Sequence, residues 1–270
     1  MYEDAEIEVE AFRDKGRIFC IASAGTTAIR LAREHEVVAC DINPVQLAYA
    51  ERRARGAPPE LGDAERAMNF VRTFMPVVGW RAKTLKSFLD LSDVAEQTFF
   101  WKEYLDTFRF RQAFDRLMSP SLLRLAYAAR FLAFLPSNFG AVLRKRLEGG
   151  IGRHENASNP HIKGLLLGDF DEDYSQGAAD IRFVLADAAS WLESSPPGHF
   201  EGFALSNILD GADSGYASRL FRSVRHAGTQ NAVMVLRSFA EPLAHLSSNR
   251  AKQDRFMLWG LADVRSAQTI

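Results

Sequence analysis

A few short segments carry the residue types that could do chemistry. Ser23-Ala24-Gly25-Thr26 is a turn of small residues after an apolar run, and Asp41-Ile42-Asn43-Pro44-Val45-Gln46 follows a second such run. Small residues let a ligand approach the backbone closely, and an acidic residue about 16 positions after the turn suits the two hydroxyls of a ribose. The turn has one glycine rather than the GxGxxG pattern, so it would cradle a dinucleotide pyrophosphate poorly. S-adenosylmethionine has no phosphate to wrap and tolerates such a turn. Ser23, Ala24, Gly25 and Thr26 are therefore candidates for the cofactor turn. Thr26 or Thr27 would cap the following helix, with its amides near the amino-acid carboxylate. Asp41 is the ribose candidate, with Ile42 and Gln46 beside it. Its alternative role is a charge favourable to a helix N-terminus, but Asn43 already supplies the cap and Pro44 the first helical position.

Two further segments stand at the ends of later apolar runs. Asp187-Ala188, after IRFVLA, suits the loop that flanks an adenine ring, and a plain N-cap is the alternative. Ser206-Asn207, after FALS, occupies the place where the reacting group sits in many sheets of this kind, and it could equally cap NILDGA. Among the histidines, His35 and His226 fall at helix ends that should face solvent. His154 and His161 flank the polar loop 148–160, and either titrates in the range a general base needs.

These positions require a parallel sheet beneath them. Short apolar runs at Arg17–Ala22, Glu36–Cys40, Ile181–Leu185, Phe200–Leu205 and Asn231–Leu236 suit strands buried on both faces. Arg255–Leu258 is a further candidate, as an edge strand. Helical patterns lie between them, including Ser214–His226. The alternation predicts an α/β, doubly wound, mostly parallel Rossmann-like sheet of the methyltransferase type. The ends of its strands would carry Ser23, Asp41, Asp187, Ser206 and Arg237. Between about Glu60 and Leu147 the strand pattern stops, and long aromatic-rich helical patterns replace it. The expected organisation is a cofactor-binding domain from 1–59 and 165–270, with a helical insertion at 60–164 forming an acceptor-side lid.

Composition narrows the setting. Of 270 residues 47% are hydrophobic and 25% charged, which suits a globular chain. The net charge of −1 gives no global field for nucleic acid, so no nucleic-acid partner is expected. Cys20 and Cys40 lack metal spacing and fall in buried strands, so no metal site is expected and a reducing compartment is. No apolar stretch is long enough to span a bilayer. A cytoplasmic protein is expected. Leu122–Arg146 mixes apolar bulk with Arg124, Arg130, Arg144, Lys145 and Arg146. That pattern suits peripheral contact with the inner membrane face, or core packing with a solvated basic side.

IASAG, DINPVQL, FFW, NPHIKGLLLG, FALSNI and VLRS together, with the opening Tyr2-Glu3-Asp4, resemble the betaine-lipid synthase A family in order along nearly the whole chain. The resemblance implies an S-adenosylmethionine:diacylglycerol 3-amino-3-carboxypropyltransferase. S-adenosylmethionine is then a co-substrate, and an acceptor hydroxyl attacks the γ-carbon of its methionine part. The products are an ether lipid and methylthioadenosine. The acceptor would be diacylglycerol or another small molecule, near Ser206, Asn207, His154 and Asn159, with His154 as the base. Asn207 stands where the family often has Asp, and an amide cannot act as a base. Two other readings share the sheet: a methyltransferase, and a cofactor- or membrane-surface-binding protein without turnover.

Overall fold

Strand β1 (Arg17–Ile21) is RIFCI, and its three central residues are buried whichever way they point. Phe19 packs on one face of the sheet with Val38 and Cys40, while Ile18 and Cys20 pack on the other with Val37 and Ala39. That alternation, with both sides apolar, is what a strand covered by helices on both faces demands. The computed structural model describes residues 2–60, 62–124, 127–168, 181–242 and 246–270.

The described strands are β1, β2 (Glu36–Asp41), β3 (Ile181–Leu185), β4 (Phe200–Ala204), β5 (Gly228–Ser238) and β6 (Leu261–Ser266). They form one sheet in the order β3-β2-β1-β4-β5-β6. All neighbours are parallel except β5 and β6. The fold is thus the expected doubly wound Rossmann-like sheet. The direction of winding reverses between β1 and β4, and the crevice at that reversal lies at the carboxyl ends of the strands. The expected edge strand at Arg255–Leu258 does not form; the segment is irregular, and Leu261–Ser266 takes the edge instead. Phe256, Met257 and Trp259 are apolar because they are buried: Met257 joins the core of the insertion.

Helices α1 (Glu6–Ala11), α2 (Thr26–Leu31) and α3 (Pro44–Ala54) open the chain. Asn43 caps α3 by accepting from the Val45 amide, with Pro44 at the first position. The insertion follows with α4 (Asp63–Arg72), α5 (Ala82–Leu89), α6 (Val94–Phe100), α7 (Phe108–Leu117), α8 (Pro120–Leu123), α9 (Ala129–Phe134), α10 (Phe139–Ile151) and α11 (Pro160–Leu167). Helices α12 (Ala188–Ser194) and α13 (Ser214–Ala227) then cover one sheet face, where Leu192, Leu220 and Val224 meet Phe19 and Phe203.

The insertion interrupts the crossover from β2 to β3 and has a core of its own. Trp80, Phe88, Trp101 and Phe110 meet there, and Leu165 and Leu166 of α11 pack with them. The Trp80 indole N–H donates to the Leu105 carbonyl at 2.8 Å. The insertion docks at the carboxyl ends of β4 and β5: Arg146 donates to the Leu258 and Phe239 carbonyls, and Phe131 and Phe139 both meet Phe239 edge-on. Among the described residues no helix is long and apolar enough to cross a membrane.

Trp101 is fully buried at the centre of the insertion. Trp101→Ala should therefore cost about 3–5 kcal/mol of unfolding free energy in a urea titration; a loss below about 1 kcal/mol would mean that this cluster is not a packed core.

Candidate functional site

The turn after β1 is strained and pinned. Ser23 has φ of +46° and Gly25 φ of +84°. A Cβ on Gly25 would sit 3.1 Å from the Ala50 backbone of α3, so only glycine fits both the conformation and the approach. Gly25 is also the N-cap of α2, without a side-chain cap bond. The expected threonine cap is therefore corrected. The Thr26 hydroxyl accepts from Arg53 at 3.0 Å, and the Thr27 hydroxyl donates to Glu3 at 3.3 Å. Buried Arg53 of α3 also donates to the Ala24 carbonyl, fixing the turn from behind.

Asp41 faces this turn. One carboxylate oxygen accepts from the Ser23 amide at 2.9 Å and the other from the Asn43 amide at 2.8 Å. Each oxygen keeps a lone pair, which is what two ribose hydroxyls would need. Beside it an apolar shelf lies open. Ile42 is 72% exposed, and Leu185, in register with Asp41 on β3, is 57% exposed. Apolar side chains at the mouth of a crevice suit a flat base. Gln46 is exposed on the first turn of α3. Asp187 caps α12, accepting from the Ser190 amide at 2.9 Å, and burial of its carboxyl is outweighed by the Ser190 hydrogen bonds, so its pKa is lowered. Ala188 is buried in the core, which leaves only its backbone amide for a ligand. The residues present thus fit a nucleoside whose ribose meets Asp41 and whose base lies over Ile42 and Leu185.

The other side of the crevice is built by the beginning of the chain. Glu3 is buried between α2 and the end of β4, where it accepts from the hydroxyls of Thr27 and Ser206. Ser206 stands at the end of β4 with φ of +52°, a second non-glycine residue in the left-handed region at a strand end. Strain of this kind concentrates at functional sites. Asp4 is held by Arg255 at 2.5 and 2.7 Å, and His161 Nε2 lies 3.3 Å from it. Burial opposes the Asp4 charge, but Arg255 and His161 overcome it and hold the carboxyl well below the usual range. Arg237, fully buried at the end of β5, donates to both Glu8 oxygens, to Asp254 and to the Asp4 carbonyl.

The acceptor side differs from the sequence reading. The Asn207 amide donates to Asp210 at 3.3 Å. Asp210 also accepts from the Ser238 hydroxyl at 2.7 Å and the Phe239 amide at 3.1 Å, and burial raises its pKa despite these bonds. A carboxylate is thus present three residues beyond the position where Asn replaces it. Gly211, beside Asp210, lies against the backbone of Phe131 in α9, so the insertion walls this corner. His154 contacts neither Ser206 nor Asn207 among the described contacts. Its Nε2 lies 3.1 Å from the Lys252 carbonyl, and burial lowers its pKa. Asn159 is engaged as the cap of α11 and donates to the Arg255 carbonyl at 3.0 Å. His35 is buried, not solvent-facing, with Nδ1 2.7 Å from the Lys15 carbonyl. Sequence reasoning missed Arg53, Leu185 and Asp210 altogether, and it named Glu3 and Asp4 only as part of a motif. Only Asp210, inside the NILDGA segment already singled out, was within reach of local pattern.

No family model matches the sequence, and neither does any curated protein. Among solved structures, the rRNA methyltransferase AviRa from Streptomyces viridochromogenes aligns over 91% of this chain and 78% of that one, at a TM-score of 0.34 and 12% identity. A likeness that weak adds nothing to what the sheet itself displays.

Glu8 and Asp254 share one guanidinium in a site without water access. Burial pushes Glu8 up to about 7 against the pull of Arg237, and it pushes Asp254 up to about 6. Both values lie above the ordinary 4.5 and 3.8, so burial favours the protonated forms. Their contribution to stability is present at low pH and is lost as pH rises through about 6 to 7. In a carbon-13 carboxyl titration one glutamate should titrate near 7, and Glu8→Leu should remove that resonance. If every glutamate titrates below 5, Arg237 fully neutralises the pair.

Proposed function

We propose that the chain is an S-adenosylmethionine-dependent transferase that moves the 3-amino-3-carboxypropyl group to the hydroxyl of diacylglycerol or a similar acceptor. The observation that carries this reading is the pairing, at the carboxyl ends of the strands, of Asp41 with the Ser23 turn and of buried Glu3 with Thr27 and Ser206. The Asp41, Ile42 and Leu185 shelf stands on one side of the Ser23 turn, and the buried Glu3 carboxylate is held by Thr27 of α2 and Ser206 at the end of β4. A nucleoside on the shelf would direct its amino-acid chain toward Glu3, whose charge complements an α-ammonium. The choice of the γ-carbon over the methyl rests on the family resemblance of the sequence.

In this reading the acceptor hydroxyl lies between Ser206 and the corner formed by Asn207, Asp210 and α9. Asp210 replaces His154 as the base, because its carboxylate is at that corner and its pKa is raised toward the working range. The acceptor oxygen bonds to the γ-carbon as the carbon–sulfur bond breaks. The electron pair goes to sulfur, which neutralises the sulfonium and releases methylthioadenosine. The acceptor proton passes to Asp210. Sulfonium is already a good leaving group, so positioning supplies most of the rate.

Three measurements test the reading. With S-adenosylmethionine labelled in either the methyl or the carboxyl carbon, and lipid extract as acceptor, carboxyl label should enter a lipid. Methyl label entering product instead would establish methyl transfer, and consumption of neither would leave a binding protein. Asp41→Ala should weaken S-adenosylmethionine binding by about 1–3 kcal/mol in calorimetry, and unchanged affinity would return Asp41 to bracing the turn. Turnover should rise with pH through a midpoint above the ordinary aspartate value, because a base must be deprotonated. Asp210→Asn should lower kcat by about 10²–10⁴-fold with little change in KM. An unaltered kcat and pH profile would remove Asp210 from the reaction.

A further inference from the structure

The helical insertion carries a face that the sheet does not use. Helix α7 turns Phe110 and Phe114 inward against Trp80 and Trp101. Phe108, two residues before Phe110, points the other way and is 76% exposed. Beside it, Val77 in the 3-10 segment Met75–Val78 is 69% exposed. The two segments are tied by the Thr107 hydroxyl, which donates to the Val78 carbonyl at 3.2 Å. Phe70 and Phe74, both more than half exposed, pair with ring centres 5.2 Å apart in the segment just before Val77, and the Val77 amide donates to the Phe74 carbonyl. Val77, Val78 and Phe108 line an open groove of about 690 Å³ with Arg109, Gln112 and Arg116. Large apolar side chains from two segments thus meet where neither is needed for the core, and exposed clusters of this kind mark interaction surfaces.

The charge around this groove is one-sided. From Thr107 to Leu147 the sequence has arginine or lysine at 109, 111, 116, 124, 130, 144, 145 and 146, and one acid, Asp115. Three of these cations are paired, Arg111 with Asp106, Arg144 with Asp115 and Arg146 with Glu241, and the ones that line the groove are Arg109 and Arg116. Asp115 is itself neutralised by Arg144 at 2.8 Å. Arg109 and Arg116, two helical turns apart, border the groove and are exposed. In the Leu122–Arg146 span of the sequence reading, Arg124 and Arg130 are exposed, while Leu125 and Ala126 lie outside the described residues.

The geometry points to this face of the insertion, Phe108 and Val77 framed by Arg109 and Arg116, as a docking surface for an anionic lipid bilayer. Apolar side chains that enter the head-group boundary beside arginines at head-group level are the pattern of peripheral binding. The surface lies on the same insertion that walls the Asp210 corner. The inference itself does not depend on which reaction the crevice performs.

Vesicle co-sedimentation without S-adenosylmethionine tests it, so its outcome is independent of the transferase reading. The full chain should bind vesicles of equal parts phosphatidylcholine and phosphatidylglycerol, and bind phosphatidylcholine alone roughly tenfold less. Added salt should weaken the anionic binding. Arg109→Glu with Arg116→Glu should reduce it roughly tenfold or more, and Phe108→Ser with Val77→Ser should reduce it at every salt concentration. All four side chains are exposed, and circular dichroism should show that both double variants keep the fold. Absence of vesicle binding would overturn the inference, as would binding that both double variants retain. Binding of a single-stranded RNA, or self-association in sedimentation, that these variants abolish while vesicles are ignored would also overturn it.

Discussion

A guanidinium sealed from water must find its partners inside the protein, and Arg237 finds them in three parts of the chain. It reaches Glu8 in α1, the Asp4 carbonyl just before α1, and Asp254 in the segment that precedes β6. Its own amide donates to the Ser206 carbonyl at 2.8 Å, which sets the end of β4 against the end of β5. Without this cation Glu8 and Asp254, which burial already pushes toward their protonated forms, would lose the partner that ties them to β5. The beginning of the chain lies across the strand ends because Arg237 holds it there. Glu3 reaches Thr27 and Ser206 only from that position.

Much of the sheet could be read directly. β1 and β2 are buried on both faces, so their runs were apolar without alternation, and Asn43-Pro44 announced its own helix start. The edge was harder. Leu261–Ser266 is half polar because one of its flanks meets solvent, whereas FMLW looks like a strand because it fills the core of the insertion. Local apolarity cannot tell which neighbour will do the covering.

The site was legible where its residues sit at strand ends and obscure where partners come from far away. Ser23, Asp41 and Ser206 follow apolar runs, and that spacing marked them. Glu3 meets Ser206 across 203 positions, and no local pattern encodes such a pairing. Histidine at 154 drew attention by residue type alone, yet its ring turns to the Lys252 carbonyl. Asp210 drew none, because an aspartate in a turn is commonplace; only its hydrogen bonds to Asn207 and Ser238 set it apart.

The seating of the first residues also bears on how the chain is made. Tyr2 accepts from the Trp259 indole across 257 positions, and Asp4 meets Arg255 across 251. During vectorial synthesis residues 2–8 therefore leave the ribosome long before any of these partners exists. Contacts of such separation are slow to close and arrive late. The contacts of Tyr2 and Asp4 with Trp259 and Arg255 can close only once that far segment has been made. A chain stalled before β5 could have β1, β2 and the turn between them, but not Arg237, Arg255 and Trp259, the partners that seat residues 2–8.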